Sequence, residues 1–106
     1  MEFIETSLFT RQITEILSHD EYIEFQLELL ADPKKGAVIP RGGGLRKVRV
    51  GLEGRGKRGG ARVIYYFISR SQELYLLLAY PKNVQDNLSE EQLKVLRQLV
   101  KELDNG

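Results

Sequence analysis

The middle of the chain holds a cluster of bases and tyrosines at defined spacing. Lys47 and Arg49 stand two apart in the alternating stretch Leu45-Arg46-Lys47-Val48-Arg49-Val50. On a β-strand both project from one face, about 6.6 Å apart at a rise of about 3.3 Å per residue. Arg62 opens the next apolar run, and Tyr80 and Lys82 close the one after it. Between the first two runs lies the basic loop Arg55-Gly56-Lys57-Arg58. Strands pairing in sequence order would bring these groups onto one sheet surface beside that loop. Such a set suits attack on a phosphodiester without a metal. RNA carries its own nucleophile, the 2′-hydroxyl, so the protein has to hold the backbone in line, offset charge on the phosphorane and move two protons. Arginine binds phosphate oxygens bidentately, which lysine does not. A lysine crowded by other cations gives up its proton more readily and can serve as base, with another lysine or a tyrosine as acid. Tyrosine also stacks on an unstacked base. The competing reading makes Lys47 and Arg49 the wet side of an amphipathic strand and Tyr65, Tyr66, Tyr75 and Tyr80 core or edge aromatics. For any single tyrosine that reading is the stronger. For Lys47, Arg49 and Arg62 together function is favoured, because an open sheet face rarely needs so many bases with so few acids.

Other chemistries fit poorly. There is no cysteine, which rules out disulfides and thiolate metal sites and suits a cytoplasmic setting. The one histidine, His19, sits among acids in a helix-capping segment and reads as a surface residue. Asp20, Glu21, Glu24 and Glu28 read as a solvated helix face and not as metal ligands. The stretch from Gly51 to Arg58 has the spacing of a phosphate-binding loop, but Arg58 replaces the hydroxyl residue that would hold magnesium. Two glycines and a strand follow it, where a helix N-terminus would be needed. No metal or cofactor is expected.

The positioning elements follow from periodicity. Phe3-Ile4 with Thr6 reads as a short first strand. Leu8, Phe9, Ile13, Ile16 and Leu17 recur at helical spacing over 7–17. Ser18-His19-Asp20-Glu21 forms a capping box, with Leu17 and Tyr22 as its staple. Ile23, Leu27 and Leu30 predict the apolar stripe of a second helix that ends at Asp32-Pro33. Residues 34–44, rich in Lys, Gly, Pro and Arg, read as loop. Strands follow from 45, over 61–68 and over 74–80. Ser89-Glu90-Glu91-Gln92 is a second capping box, with Leu88 and Leu93 as staple. It opens a last helix with the stripe Leu93, Leu96, Val100 and Leu103. The order β-α-α-β-β-β-α predicts an α+β fold: a small antiparallel sheet with the helices on one face and the other face open.

The 106 residues carry 42% apolar side chains and a net charge of +1, consistent with a single domain over 1–106. The charge is segregated. Residues 1–33 hold one base and eight acids, residues 34–82 twelve bases and two acids, and residues 83–106 three bases and five acids. A basic middle between acidic ends is the pattern of a polyanion-binding face. No apolar run reaches membrane-spanning length. The first residues carry acid where a signal peptide carries base, so export is not expected.

These residues also carry a likeness. Leu45-Arg-Lys-Val-Arg-Val50, residues 54–67 (Gly-Arg-Gly-Lys-Arg-Gly-Gly-Ala-Arg-Val-Ile-Tyr-Tyr-Phe) and Tyr80-Pro81-Lys82-Asn83 resemble the HigB branch of the RelE toxin superfamily. The likeness covers nearly the whole chain and is most specific in the G-K-R-G-G-x-R-V-I-Y-Y segment. It implies a toxin paired with a cognate antitoxin, which enters the A site of the 70S ribosome and cleaves bound mRNA, leaving a 2′,3′-cyclic phosphate. By position, Lys47, Arg49, Arg62 and Lys82 are then the catalytic bases. Arg46, Arg55, Lys57, Arg58, Tyr66 and Tyr80 are the expected RNA- or ribosome-binding residues. RelE enzymes carry a stacking tyrosine near the final helix. Residues 83–89 contain none, so either Tyr80 or another group takes that role, or the base is positioned differently. The alternative function is a non-catalytic RNA- or ribosome-binding module using the same basic face.

Overall fold

The run from Ala61 to Ile68 lacks Gly and Pro and is rich in β-branched and aromatic residues, the composition of a strand covered on both faces. In the computed structural model, which describes residues 1–51 and 60–105, this run is the middle strand of five, β4 (Ala61–Ile68). The other strands are β1 (Glu2–Glu5), β2 (Ala37–Val38), β3 (Arg46–Val50) and β5 (Glu73–Pro81). The helices are α1 (Ser7–Ile16), α2 (His19–Ala31) and α3 (Glu90–Asn105). The fold is α+β and the predicted order is kept, with one addition: the two-residue β2 lies inside the stretch expected to be loop throughout. The sheet order is β1-β5-β4-β3-β2. It is mixed, because β1 runs parallel to β5 while the remaining neighbours are antiparallel. Thr6 lies beyond the first strand and caps α1, its hydroxyl accepting the Phe9 N–H at 3.0 Å.

The helices occupy both faces of the sheet, where one face was expected to stay open. Along β4, Ala61, Val63 and Tyr65 join a core with Phe9, Ile13, Phe25 and Leu29 of α1 and α2. The alternate residues Ile64 and Tyr66 join a second core with Leu93, Leu96 and Val100 of α3. A third amphipathic helix has to bury its stripe somewhere, and the side of the sheet left by α1 and α2 is the apolar surface within reach. A bulge in β5 serves this arrangement: Ile64 pairs with Leu78 and Tyr65 with Leu76. The extra Leu77 switches the alternation, so that Leu77, Leu78 and Tyr80 all belong to the α3 side.

Both capping boxes form. Glu21 N–H donates to Ser18 Oγ at 3.2 Å and Ser18 N–H to Glu21 Oε1 at 2.8 Å; Ser89 and Gln92 make the same pair at 3.1 and 2.9 Å. The predicted stripe of α2 is wrong. Ile23, Leu27 and Leu30 are exposed, and α2 packs through Phe25 and Leu29, with the Tyr22 ring 6.1 Å from Phe9. Among the described residues, no helix is long and apolar enough to cross a membrane.

Candidate active site

The strand registers assemble the site. Arg49 of β3 lies opposite Arg62 of β4, and Arg62 lies opposite Tyr80 of β5. Lys47, two residues before Arg49, lies opposite Ile64. Val48 and Val50 point into the α1–α2 core, so Lys47 and Arg49 project to the other side, the side of Ile64 and Tyr80. Direct antiparallel partners have Cα atoms about 5 Å apart. Lys47, Arg49, Arg62 and Tyr80 therefore share one corner of one sheet surface, as the spacing required.

Their surroundings differ. Arg49 is exposed. Lys47 is half-buried, and its Nζ donates to Asn87 Oδ1 at 2.7 Å and to the Asp86 carbonyl at 3.3 Å. Arg62, although it opens its apolar run, is buried, with a side chain only 4% exposed. It stands second in β4, the central strand, under the segment that leads into α3, which leaves its side chain little contact with water. Its charge is met by Asp86, whose Oδ1 accepts from Nε at 3.2 Å, and Nη1 donates to the Ala61 carbonyl at 3.2 Å. Tyr80 is buried too, and its hydroxyl donates to the Asp86 carbonyl at 3.2 Å. Burial, then the nearby Asp86 carboxylate, push the Tyr80 phenol above its ordinary range against an opposing pull from Arg62. The ring offers no free face on which a base could stack, so the stacking role does not fall to Tyr80 in this conformation.

The remaining expected residues separate. Lys82 is exposed and continues the β4–β5 pairing by one step, its N–H donating to the Gly60 carbonyl at 2.9 Å. This puts it at the same end of the sheet as Arg62. Arg46 points to the opposite side, where Nη1 donates to the carbonyls of Gly36 at 2.7 Å and Lys34 at 3.2 Å and holds that loop against the sheet. Tyr66 is on the α3 side but four residues along β4 from Arg62, about 13 Å away, with its hydroxyl donating to Asp104 at 3.3 Å. Arg46 and Tyr66 are thus not brought to the cluster. Arg55, Lys57 and Arg58 lie outside the described residues.

A family model described as the RelE toxin of the RelE / RelB toxin–antitoxin system matches residues 27–105. The chain belongs to the RelE toxin family. It is thereby a toxin of a toxin–antitoxin system, with an antitoxin as partner, in a family whose members are generally endoribonucleases acting on mRNA. The matched span contains Lys47, Arg49, Arg62, Tyr80 and Lys82 and leaves out β1 and α1. In this RelE-family chain the organising residue that sequence reasoning missed is Asp86, with Asn87 beside it. In the segment 83–89 a lone acid in a polar stretch gives no signal that it will meet an arginine 24 residues earlier. The usable clue was the charge pattern: Asp86 is the first acid after Glu73, directly behind the basic strands.

Proposed function

We propose that this chain is a HigB-like toxin of the RelE family that cleaves mRNA in the ribosomal A site, with Lys47, Arg49, Arg62 and Lys82 as its working cations. The observation that carries this reading is Arg49 directly opposite Arg62 across an antiparallel strand pair, with Lys47 on the same face. Like charges in that relation are destabilising, and a dianionic transition state between them would offset the repulsion. The RNA 2′-oxygen attacks the adjacent phosphorus while the bond to the 5′-oxygen breaks, giving a 2′,3′-cyclic phosphate and a 5′-hydroxyl. One proton leaves the 2′-hydroxyl for a base and one reaches the departing 5′-oxygen. Arg49, whose side chain is exposed and makes no hydrogen bond to the described residues, is the group best placed to grip a phosphate oxygen. Arg62 adds positive charge from beneath. Lys47 and Lys82, flanking the arginine pair, are the candidates for proton transfer.

The buried Tyr80 ring and the engaged Lys47 Nζ favour a second reading, a ribosome-binding module that uses the same cations without cutting. Mapping mRNA ends by primer extension, with the purified protein added to free message and to translating ribosomes, separates the two. New ends within ribosome-bound codons and intact free message support the nuclease; a bound protein on uncut message supports the module.

A further inference from the structure

Three side chains from three adjacent strands meet one residue of the segment between β5 and α3. Arg62 Nε donates to Asp86 Oδ1 at 3.2 Å, and Tyr80 Oη and Lys47 Nζ donate to the Asp86 carbonyl at 3.2 and 3.3 Å. Asn87 adds the shortest contact in the group, 2.7 Å from its Oδ1 to Lys47 Nζ. The segment itself is tied at both ends. The Pro81 carbonyl accepts the N–H groups of Val84 and Gln85 at 3.1 and 3.3 Å. Gln85 Nε2 bridges the Asn87 carbonyl and Gln92 Oε1 at 3.0 and 2.9 Å, and Gln92 closes the capping box of α3. A short stretch held by a turn, a helix cap and a side-chain bridge presents its acceptors at fixed places.

The geometry at Arg62 shows what those acceptors do. Nε and Nη1 are held, by Asp86 and by the Ala61 carbonyl. Nη2 makes no hydrogen bond to the described residues. It is not sealed either, since no fully buried side-chain nitrogen or oxygen in the described residues lacks a partner. One arm of the clamped guanidinium is thus neither hydrogen-bonded to the described residues nor fully sealed, and Arg62 lies on the sheet face that Arg49 shares. A free arginine two strands from the edge would swing away from its like-charged neighbour, and the Asp86 carboxylate both cancels that repulsion and fixes the plane of the fork.

We propose that Asp86 and Asn87 are positioning residues: Asp86 orients Arg62 beside Arg49, and Asn87 holds the Lys47 ammonium, so that the cations face one phosphate together. This rests on the nuclease reading above, and neither residue touches RNA in it. Misplacement by about 1 Å costs on the order of 10²-fold in rate, so Asp86→Ala should lower kcat on ribosome-bound message by that order with KM little changed. Asp86→Asn keeps an acceptor at the same place without the charge and should recover all but about a factor of ten. Asn87→Ala, an exposed change that spares the fold, should lower kcat as well. Nitrogen-15 spectra of the same proteins give a readout apart from cleavage: the Arg62 Nε–H signal is protected in the wild type and in Asp86→Asn, and exchanges freely in Asp86→Ala. The inference is overturned if Asp86→Ala cuts as fast as the wild type, or if its Arg62 Nε–H stays protected. It is also overturned if the variant cuts faster, since the carboxylate would then be blocking the phosphate site. Should Asp86→Ala fail to fold, Asn87→Ala and Asp86→Asn decide, and wild-type kcat in Asn87→Ala overturns the bracket. A wild type that cuts no message sinks the nuclease reading and this role with it, an outcome distinct from a cutting wild type with an equally active Asp86→Ala.

Discussion

Removing the charge of Arg49 should separate stability from function. Arg49→Gln keeps a side chain of similar length on a strand and takes away one cation. Like charges directly opposite across an antiparallel pair cost about 0.2–1 kcal/mol. Arg62 is already met by Asp86 at 3.2 Å, and Arg49 is exposed to solvent, where salt screens it. The lower half of that range applies, so the variant should be as stable as the wild type or more stable by up to about 0.5 kcal/mol. The functional cost is larger. A hydrogen bond to a charged group contributes about 1.5–3 kcal/mol and a neutral one about 0.5–1.5 kcal/mol. Losing charge assistance on a phosphate oxygen should therefore cost about 1–2 kcal/mol, or roughly 5- to 30-fold in cleavage. Urea unfolding measures the first effect, and timed primer extension on stalled ribosomes measures the second. A variant that is less stable by more than about 1 kcal/mol yet cuts at the wild-type rate would make Arg49 a structural residue and refute the reasoning.

Three further outcomes follow from the packing. Arg62→Met keeps the volume of the buried stem and leaves Asp86, half-exposed, to water; it should fold with a loss under about 1.5 kcal/mol and fail to cut, as unfolding and cleavage assays on one preparation will show. Tyr65→Phe removes a buried hydroxyl that accepts the Gly36 N–H at 2.9 Å and donates to the Pro33 carbonyl at 2.8 Å. It should cost about 1–3 kcal/mol in denaturant unfolding by orphaning a buried amide, with cleavage unchanged at temperatures where it is folded. Burial and then Glu5 push the Tyr22 phenol well above its ordinary range, so folding favours the protonated form. The contribution is whole below about pH 10, where the unfolded chain still holds its proton, and is lost as pH rises above that toward the native value. Tyr22→Phe should make the alkaline decline in stability shallower, read from unfolding curves on either side of pH 10.

Much of the scaffold was legible because local chemistry and tertiary fold agree. The β-branched run at 61–68 became β4 with those bounds, and both capping boxes formed as the Ser-x-x-Glu and Ser-x-x-Gln spacings required. Where two local patterns compete, only packing decides. α2 carries the stripe Ile23, Leu27 and Leu30 and also the stripe Tyr22, Phe25 and Leu29, both at helical spacing. The aromatic stripe wins because the Phe9 ring and the sheet wait on that side. Three consecutive leucines, 76–78, conceal the bulge that sets which face Tyr80 takes. The parallel pairing of β1 with β5 joins residues about 70 apart in sequence, beyond any local signal.

The shared face of Lys47, Arg49 and Arg62 was legible from alternation and strand order. The burial of Arg62 was not, because an arginine at the start of a strand reads as exposed unless its counter-ion is known. Asp86 supplies that counter-ion from a stretch with no periodicity of its own. The main-chain carbonyl of the same residue accepts the Tyr80 hydroxyl at 3.2 Å.

The most direct test of a surface that grips one RNA linkage for attack by its own 2′-hydroxyl is a pair of ribosome-bound messages, identical except for a single 2′-deoxyribose at the mapped cut. A cut with a cyclic phosphate end is expected in the all-ribose message and none in the substituted one. Equal cutting of both, or of neither, would contradict this.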